Sequence, residues 1–255
     1  MGMSLILRNP HSVLAVLETR PQDVIKVCVH PKSSHESWDR VIALAKSKKI
    51  PIVHEFLSAK KNTDSEESSR QSKAEAWVKE RSPISLEEWV KVDENRTGGL
   101  WLVLDSLQDP HNVGAIFRAA AFFGVKGIMM TQERSAPLTP IVYDVASGGV
   151  EYVPFTIQTN LQRAFEVAKK EGFWILGSSE HATDSYATIP QDRSWMLVLG
   201  NEEKGMRRLT EESCDLLCQI PARGKVKSLN VSVAAGILMG HFTSEVNPMS
   251  KKVMK

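Results

Sequence analysis

Five polar side chains could do chemistry together: Asn112, Arg118, Glu202, Ser228 and Asn230. They sit in three segments: Asp109-Pro110-His111-Asn112-Val113-Gly114-Ala115-Ile116-Phe117-Arg118, Gly200-Asn201-Glu202-Glu203-Lys204-Gly205-Met206, and Arg223-Gly224-Lys225-Val226-Lys227-Ser228-Leu229-Asn230. Each joins Gly or Pro to Asn, Glu, Arg or Ser. In the third, a basic lead-in reaches Ser228 and Asn230 and then an apolar run, Val231 to Met239, whose small residues Ala234, Ala235 and Gly236 admit a close backbone. Ser and Asn cap helix starts, and a free helix N-terminus offers N–H donors to a ligand. Two readings stand for this stretch: an ordinary capped core helix, or a helix start presented to a ligand. Asn112 could likewise be only a cap and Arg118 only a surface charge. If Asn112 opens a helix, Arg118 lies nearly two turns on, with an arm long enough to reach back. Gly200 would let a ligand lie against the backbone. Glu202 could serve only to complement a helix dipole.

The elements that must position these residues alternate. Leu100 to Asp105 is a continuous apolar run, as in a buried parallel strand. A helix is predicted over Asn112 to Phe123, with Val113, Ile116, Phe117 and Ala120 inward and Gly124 as its stop. Strand Gly127 to Met130, helix Ile141 to Ser147, strand Tyr152 to Phe155, helix Leu161 to Glu171 and strand Phe173 to Leu176 follow. Then come strand Trp195 to Leu199, a helix near Thr210 to Leu216, strand Leu217 to Ile220 and a helix from Asn230. This rhythm predicts a mostly parallel sheet covered on both faces. All three polar segments then lie beyond strand carboxyl ends, where open α/β sheets bind ligands.

The first part reads as a smaller α/β unit over residues 1–57. It has a helix at His11 to Glu18, a strand at Val24 to Val29, a helix at Ser37 to Lys48 and a strand at Ile50 to Val53. Residues 58–97 read as a polar linker: Ser58 to Ser72 carries almost no apolar residue, and short helices are predicted at Ala74 to Glu80 and Ser85 to Val90. Ser85 with Glu88 has the capping-box spacing. Asp93 to Gly99 reads as a turn, residues 98–246 as the larger domain and 247–255 as a basic tail.

Hydrophobic residues at 42% and charged residues at 24% fit a globular chain able to bury a real core. The net charge of +2 decides nothing about nucleic acid. The clusters Lys46 to Lys49, Lys60-Lys61, Arg207-Arg208 and Lys251-Lys252 read as solvated faces. Arg223 to Lys227 differs because it leads into the candidate site. No apolar run reaches bilayer length and the N-terminus lacks a signal-peptide pattern, so a cytoplasmic location is expected. Cys28, Cys214 and Cys218 form no disulfide framework. Cys214 and Cys218, four apart, could share a helix face, but no histidine is near enough in sequence to complete a metal site. No metal is expected. Phosphate-loop, nucleophile-elbow, dinucleotide-fingerprint and zinc-protease motifs are absent.

Taken together and in this order, the three segments resemble the SpoU family, also called TrmH, of S-adenosylmethionine-dependent RNA ribose 2′-O-methyltransferases. The matching stretches are Asp109 to Arg118, Leu197 to Met206, and Ile220-Pro221 through Ser228-Leu229-Asn230 to Ala234, within a resemblance that runs from about Leu100 to Phe242. The run Asp105 to Phe155, with Arg134-Ser135-Ala136 inside it, most resembles the branch that methylates a guanosine of large-subunit (23S) ribosomal RNA. The resemblance implies an α/β trefoil-knot catalytic domain whose C-terminal segment threads a loop, and a homodimer formed through it. It implies S-adenosylmethionine contacts at Leu199, Gly200, Ile220, Ser228, Leu229 and Asn230. It implies active-site roles for Asn112, Arg118, Glu202, Ser228 and Asn230, and RNA as the partner. The N-terminal unit looks like the family's small RNA-binding domain of ribosomal-protein type, although the family's closing His-x-Gly strand is absent. Transfer RNA is the alternative substrate, and a non-catalytic RNA-binding knot protein is the alternative class.

The family's proposed base matches Arg118. A guanidinium is essentially always protonated, so a bidentate hold on an RNA phosphate is its easier role.

Overall fold

The computed structural model describes residues 4–29, 36–54, 74–92 and 98–244. The expectations for Ser58 to Ser72, for most of Asp93 to Gly99 and for the tail 247–255 lie outside the described residues.

The small unit begins with β1 (Ser4–Leu7) and α1 (Pro10–Thr19). Asn9 caps α1, accepting from the His11 N–H at 2.9 Å, and Pro10 occupies the first turn, where no donor is missed. Then come β2 (Val24–Val29), α2 (Glu36–Ser47), β3 (Ile52–Val53) and β4 (Ala74–Lys79). The sheet order is β1-β4-β2-β3, with β4 antiparallel to both neighbours.

The helix predicted at Ala74 to Glu80 is therefore a strand. Ala, Glu and Lys favour helix, but Ala74, Ala76 and Val78 are buried while Glu75, Trp77 and Lys79 face outward. That period-two pattern and two strand partners outweigh local propensity. The small sheet thus draws on residues past 57, the predicted limit of the unit.

The second sheet has six strands, all parallel, in the order β10-β8-β9-β5-β6-β7. They are β5 (Gly99–Leu104), β6 (Gly127–Thr131), β7 (Phe155–Gln158), β8 (Trp174–Ser178), β9 (Ser194–Leu199) and β10 (Leu216–Cys218). The helices are α3 (Leu86–Trp89), α4 (Pro110–Phe123), α5 (Pro140–Ala146), α6 (Gly149–Tyr152), α7 (Leu161–Lys170), α8 (Arg208–Glu212) and α9 (Val231–Phe242).

Central β5 shows how both faces are covered. Leu100, Leu102 and Leu104 belong to the core shared with α4 and α9, whereas Trp101 and Val103 pack with Trp89 of α3 and Phe165 of α7. From β5 the chain moves outward to β6 and β7, then returns on the other side to β8 and β9. The strand order reverses between β5 and β9, which opens a crevice at their carboxyl ends.

Several boundaries differ from the prediction. Residues 149–152 are helical and β7 starts only at Phe155. The helix predicted to reach Leu216 stops at Glu212, because Leu216 already pairs with Leu176 in the sheet. Cys214 and Cys218 therefore share no helix: one precedes β10 and the other ends it. Burial pushes both thiols up to about 12, which keeps them neutral.

Polar contacts fasten the two units together. Arg20 at the end of α1 forms a two-pronged ion pair with Glu151 of α6, at 2.8 and 2.9 Å, and donates to the Lys79 carbonyl at 2.6 Å. Asp144 of α5 accepts from the backbone N–H groups of Arg8 and Asn9, each at 3.0 Å. The Ser12 hydroxyl donates to the Tyr143 carbonyl at 2.6 Å.

Candidate active site

The first segment begins as a capped helix, two residues earlier than predicted. Asp109 is the N-cap of α4, accepting from the His111 N–H at 2.8 Å, and Pro110 fills the first turn. Asn112 is thereby relieved of capping. Its side chain is buried, 7% exposed, and turns into the crevice.

Asn230 does two things at once. Its carbonyl oxygen caps α9, accepting from the Ser232 and Val233 N–H groups at 2.9 and 3.4 Å and from the Ser232 hydroxyl at 2.6 Å. That fixes the amide's orientation. Its NH₂ must point away, and it donates to Asn112 Oδ1 at 3.0 Å. Asn112 in turn donates from Nδ2 to Glu202 Oε1 at 3.0 Å. A directional chain, Asn230 to Asn112 to Glu202, thus joins the three polar segments. The bland reading of Asn230 as a cap and the functional reading are both realised in one side chain.

The loop after β9 is held tightly. Asn201 and Gly205 exchange two backbone hydrogen bonds at 2.9 Å. Asn201 Oδ1 accepts from the Glu203 and Lys204 N–H groups, and Nδ2 donates to the Ser106 carbonyl at 3.0 Å. A Cβ on Gly200 would lie 2.2 Å from the Met206 nitrogen. Gly200 is required by the loop's own return, because the Gly205–Met206 backbone leaves no room for a side chain.

Beneath the loop, Asp105 is fully buried. Its carboxylate pairs with Arg207 Nε at 2.6 Å and accepts from the Arg207 N–H at 3.1 Å and the Ser106 hydroxyl at 3.1 Å. Asp105 thus fastens the far end of the Glu202 loop to the end of β5. Reading the sequence as an apolar strand missed this role; a lone carboxylate closing such a strand was the available signal.

Two cavities flank this loop. The first, about 600 Å³, is lined by Leu199, Gly200, Ile220, Ser228 and Leu229, and on its far side by Ser178 to His181. The Ser178 to His181 stretch was not anticipated, although it too follows a strand end with polar residues. The second, about 540 Å³, is lined by Ser106, Gln108, Asp109, Asn112, Arg134 and Asn230. Both include residues 201–206, so Glu202 stands on their common wall. Asn230 lines the second cavity and not the first.

Residues 221–230 are exposed throughout, and no described residue hydrogen-bonds the 221–229 backbone. Arg118 is exposed on α4 and lines neither cavity. Of the predicted site residues, then, the fold gathers Asn112, Leu199, Gly200, Glu202, Ile220, Ser228, Leu229 and Asn230, and leaves Arg118 outside.

Among the described residues no group of three or more His, Cys, Asp or Glu could hold a metal, and no helix is long and apolar enough to cross a membrane. The arrangement offers two clefts of mixed polar and apolar lining, the first with free backbone groups, which share the Glu202 wall at the end of an amide–carboxylate chain.

Residues 99–240 match the model of the SpoU rRNA methylase family. The chain belongs to that family. Among curated members, a 23S rRNA (guanosine-2′-O-)-methyltransferase RlmB of Coxiella burnetii is 38% identical over 90% of this chain and 91% of its own length. A putative TrmH family tRNA/rRNA methyltransferase, YacO of Bacillus subtilis, is 34% identical over 93% of this chain and 95% of its own. Among solved structures, the SpoU methyltransferase AviRb of Streptomyces viridochromogenes, in complex with the cofactor AdoMet, superposes with a TM-score of 0.76. It covers 94% of this chain and 89% of that one at 16% identity, a likeness of fold. The SpoU fold and its mostly parallel sheet thus agree with the architecture expected from the sequence.

Proposed function

We propose that this chain transfers a methyl group from S-adenosylmethionine to the 2′-hydroxyl of a guanosine ribose in 23S rRNA. The observation that carries this is the Asn230–Asn112–Glu202 chain, which runs along one cavity and ends at the wall it shares with a second, in a SpoU-family fold. The names of the relatives support the RNA and the nucleoside.

The first cavity suits the cofactor. Leu199, Ile220 and Leu229 can wall an adenine ring, and the unbonded backbone of 221–229 can supply donors and acceptors to its polar edges. When bound, S-adenosylmethionine supplies an electrophilic methyl group on a sulfonium. Ser228 lies at the same cavity and holds the cofactor's reacting end. The second cavity takes the target nucleotide. Glu202 on the common wall and Asn112 beside it in the second cavity orient the ribose hydroxyl for in-line displacement. Arg118 holds the adjoining phosphate with its planar fork; no described residue pairs with it, so its donors are available.

The remaining organisation follows the same reading. A knotted C-terminus is supported by the path of the chain, which leaves edge strand β10 and returns past the Glu202 loop as α9, against α4 and β5. A homodimer is supported by apolar residues left exposed on α9 and α4, namely Val233, Ile237 and Phe122. RNA binding by the small unit, taken through β4, is supported by the exposed Lys46 to Lys49 cluster and by Trp77 beneath Lys26 at 5.0 Å. A cytoplasmic location is supported by the ribosomal RNA substrate named for the relatives.

The test is incubation with labelled S-adenosylmethionine and separate pools of unmodified ribosomal and transfer RNA, followed by nucleoside mass spectrometry. 2′-O-methylguanosine in the ribosomal pool is expected. Label confined to transfer RNA would favour the wider substrate range in the Bacillus subtilis relative's name. A methylated base would refute the reaction, and cofactor binding without transfer would favour a non-catalytic RNA-binding protein.

A further inference from the structure

Arg134 is unexplained by the fold and faces the second cavity. It lies in the loop after β6 with φ +58, a left-handed conformation that residues other than glycine seldom adopt. The loop is pinned on both sides of it. The Gln132 N–H donates to the Gln158 carbonyl at 3.0 Å, the Thr131 and Ser135 hydroxyls meet at 2.5 Å, and the Ala136 N–H donates to the Leu107 carbonyl at 2.8 Å. Thr131 also accepts from the Ser106 N–H at 3.0 Å, tying the loop to the end of β5. Yet no described residue pairs with the Arg134 guanidinium. A strained, exposed residue, held from both sides and making no side-chain hydrogen bond or ion pair of its own, is arranged for a ligand.

The signs in the cavity say which kind. Arg134 shares it with Asp109, Glu202, Glu203, Lys204 and Arg207 and with the amides of Gln108, Asn112 and Asn230. Arg207 is already paired with the buried Asp105, so three carboxylates face two unpaired cations. One carboxylate oxygen of Asp109 is taken by the helix cap, which leaves the other available. An excess of carboxylates makes a poor seat for a phosphate but suits a base with acceptors on one edge and donors on another. Guanine has that pattern: N7 and O6 accept, while N1–H and N2–H donate. Adenine at the same place would turn an amino group toward the guanidinium.

We infer that Arg134 is a specificity-determining residue, reading the N7 and O6 edge of the target guanine. This rests on the proposed function, since the second cavity must be the nucleotide seat. A good bidentate contact of this kind discriminates on the order of 10- to 100-fold against the wrong base.

The experiment uses the full chain, S-adenosylmethionine and ribosomal RNA whose modified guanosine has first been mapped. RNAs are then prepared with 7-deazaguanosine or adenosine at that one position. Wild type is expected to methylate guanosine about 10-fold faster than 7-deazaguanosine in kcat/KM. Arg134→Ala and Arg134→Gly, the second of which relieves the backbone, are expected to fall to the 7-deaza level on both RNAs. Their cofactor affinity by calorimetry should equal that of wild type. An unchanged guanosine-to-7-deazaguanosine ratio in the variants overturns the inference, as does an equal loss on all three RNAs, which would mean a phosphate contact. If wild type methylates no RNA, the functional reading itself has failed and this inference falls with it; if it methylates RNA and the variants keep the ratio, only this inference fails.

Discussion

Replacing Arg20 with methionine should destabilise the protein more than any single change at the cleft. Arg20 and Glu151 have side chains only 10% and 1% exposed, and the pair joins α1 of the small unit to α6 of the large one. In Arg20→Met, the Glu151 carboxylate stays buried with only the Thr19 hydroxyl, at 3.4 Å, as a direct partner. Breaking a buried pair from one side costs about 3–5 kcal/mol. Arg81 lies near enough to attract the orphaned carboxylate, so about 3 kcal/mol is expected here. The reverse change is milder. In Glu151→Gln, Arg20 keeps the Lys79 carbonyl and Asp23, so a loss of about 1–3 kcal/mol is expected.

Urea unfolding followed by circular dichroism would measure the cost. Arg20→Met/Glu151→Leu should recover most of the loss. A cost below about 1 kcal/mol for Arg20→Met would refute the buried-pair reasoning.

Other expectations can be checked alongside. Asn230→Asp keeps the capping oxygen but removes the donor to Asn112, so stability should stay within about 1 kcal/mol while methyl transfer falls at least tenfold; Asn230→Ala should lose most methylation, plus about 1 kcal/mol of cap, and stay folded. Arg118→Lys keeps the charge but not the fork, and near-normal turnover across pH would show that planar bidentate geometry is unimportant there. Because burial holds the Cys218 thiol near 12, ionisation of the unfolded thiol above its ordinary pKa should erode stability by about 1.4 kcal/mol per pH unit between roughly pH 9 and 11. Urea midpoints of wild type and Cys218→Ala across that range should show the slope flattened in the variant.

The larger domain was legible because its signals agree. β5 and β9 are apolar runs, α4 carries its stop at Gly124, and each strand end bears its own polar segment. What eluded sequence reasoning lay where long-range pairing overrules local preference. Ala74 to Lys79 has helix-forming composition, and only its placement between β1 and β2 makes it a strand. The site shows the same division. Asn112, Glu202 and Asn230 were recognisable from their segments, but their direct linkage spans separations of 90 and 118 residues, which no local pattern reports. Asp105 went unread for a related reason: its partner Arg207 lies 102 residues away.

The position of β4 bears on how the chain is made. Among the described residues β1 pairs in its sheet with β4 alone, so during synthesis it has no sheet partner until Lys79 has also emerged. During that interval the edge of β2 that β4 will occupy is open as well. A nascent chain cut at residue 57 would carry two unsatisfied strand edges, the kind of surface that recruits other chains. Expression of the small unit by itself should therefore require the segment through Lys79, and the order of synthesis makes the last strand of that sheet the one that closes it.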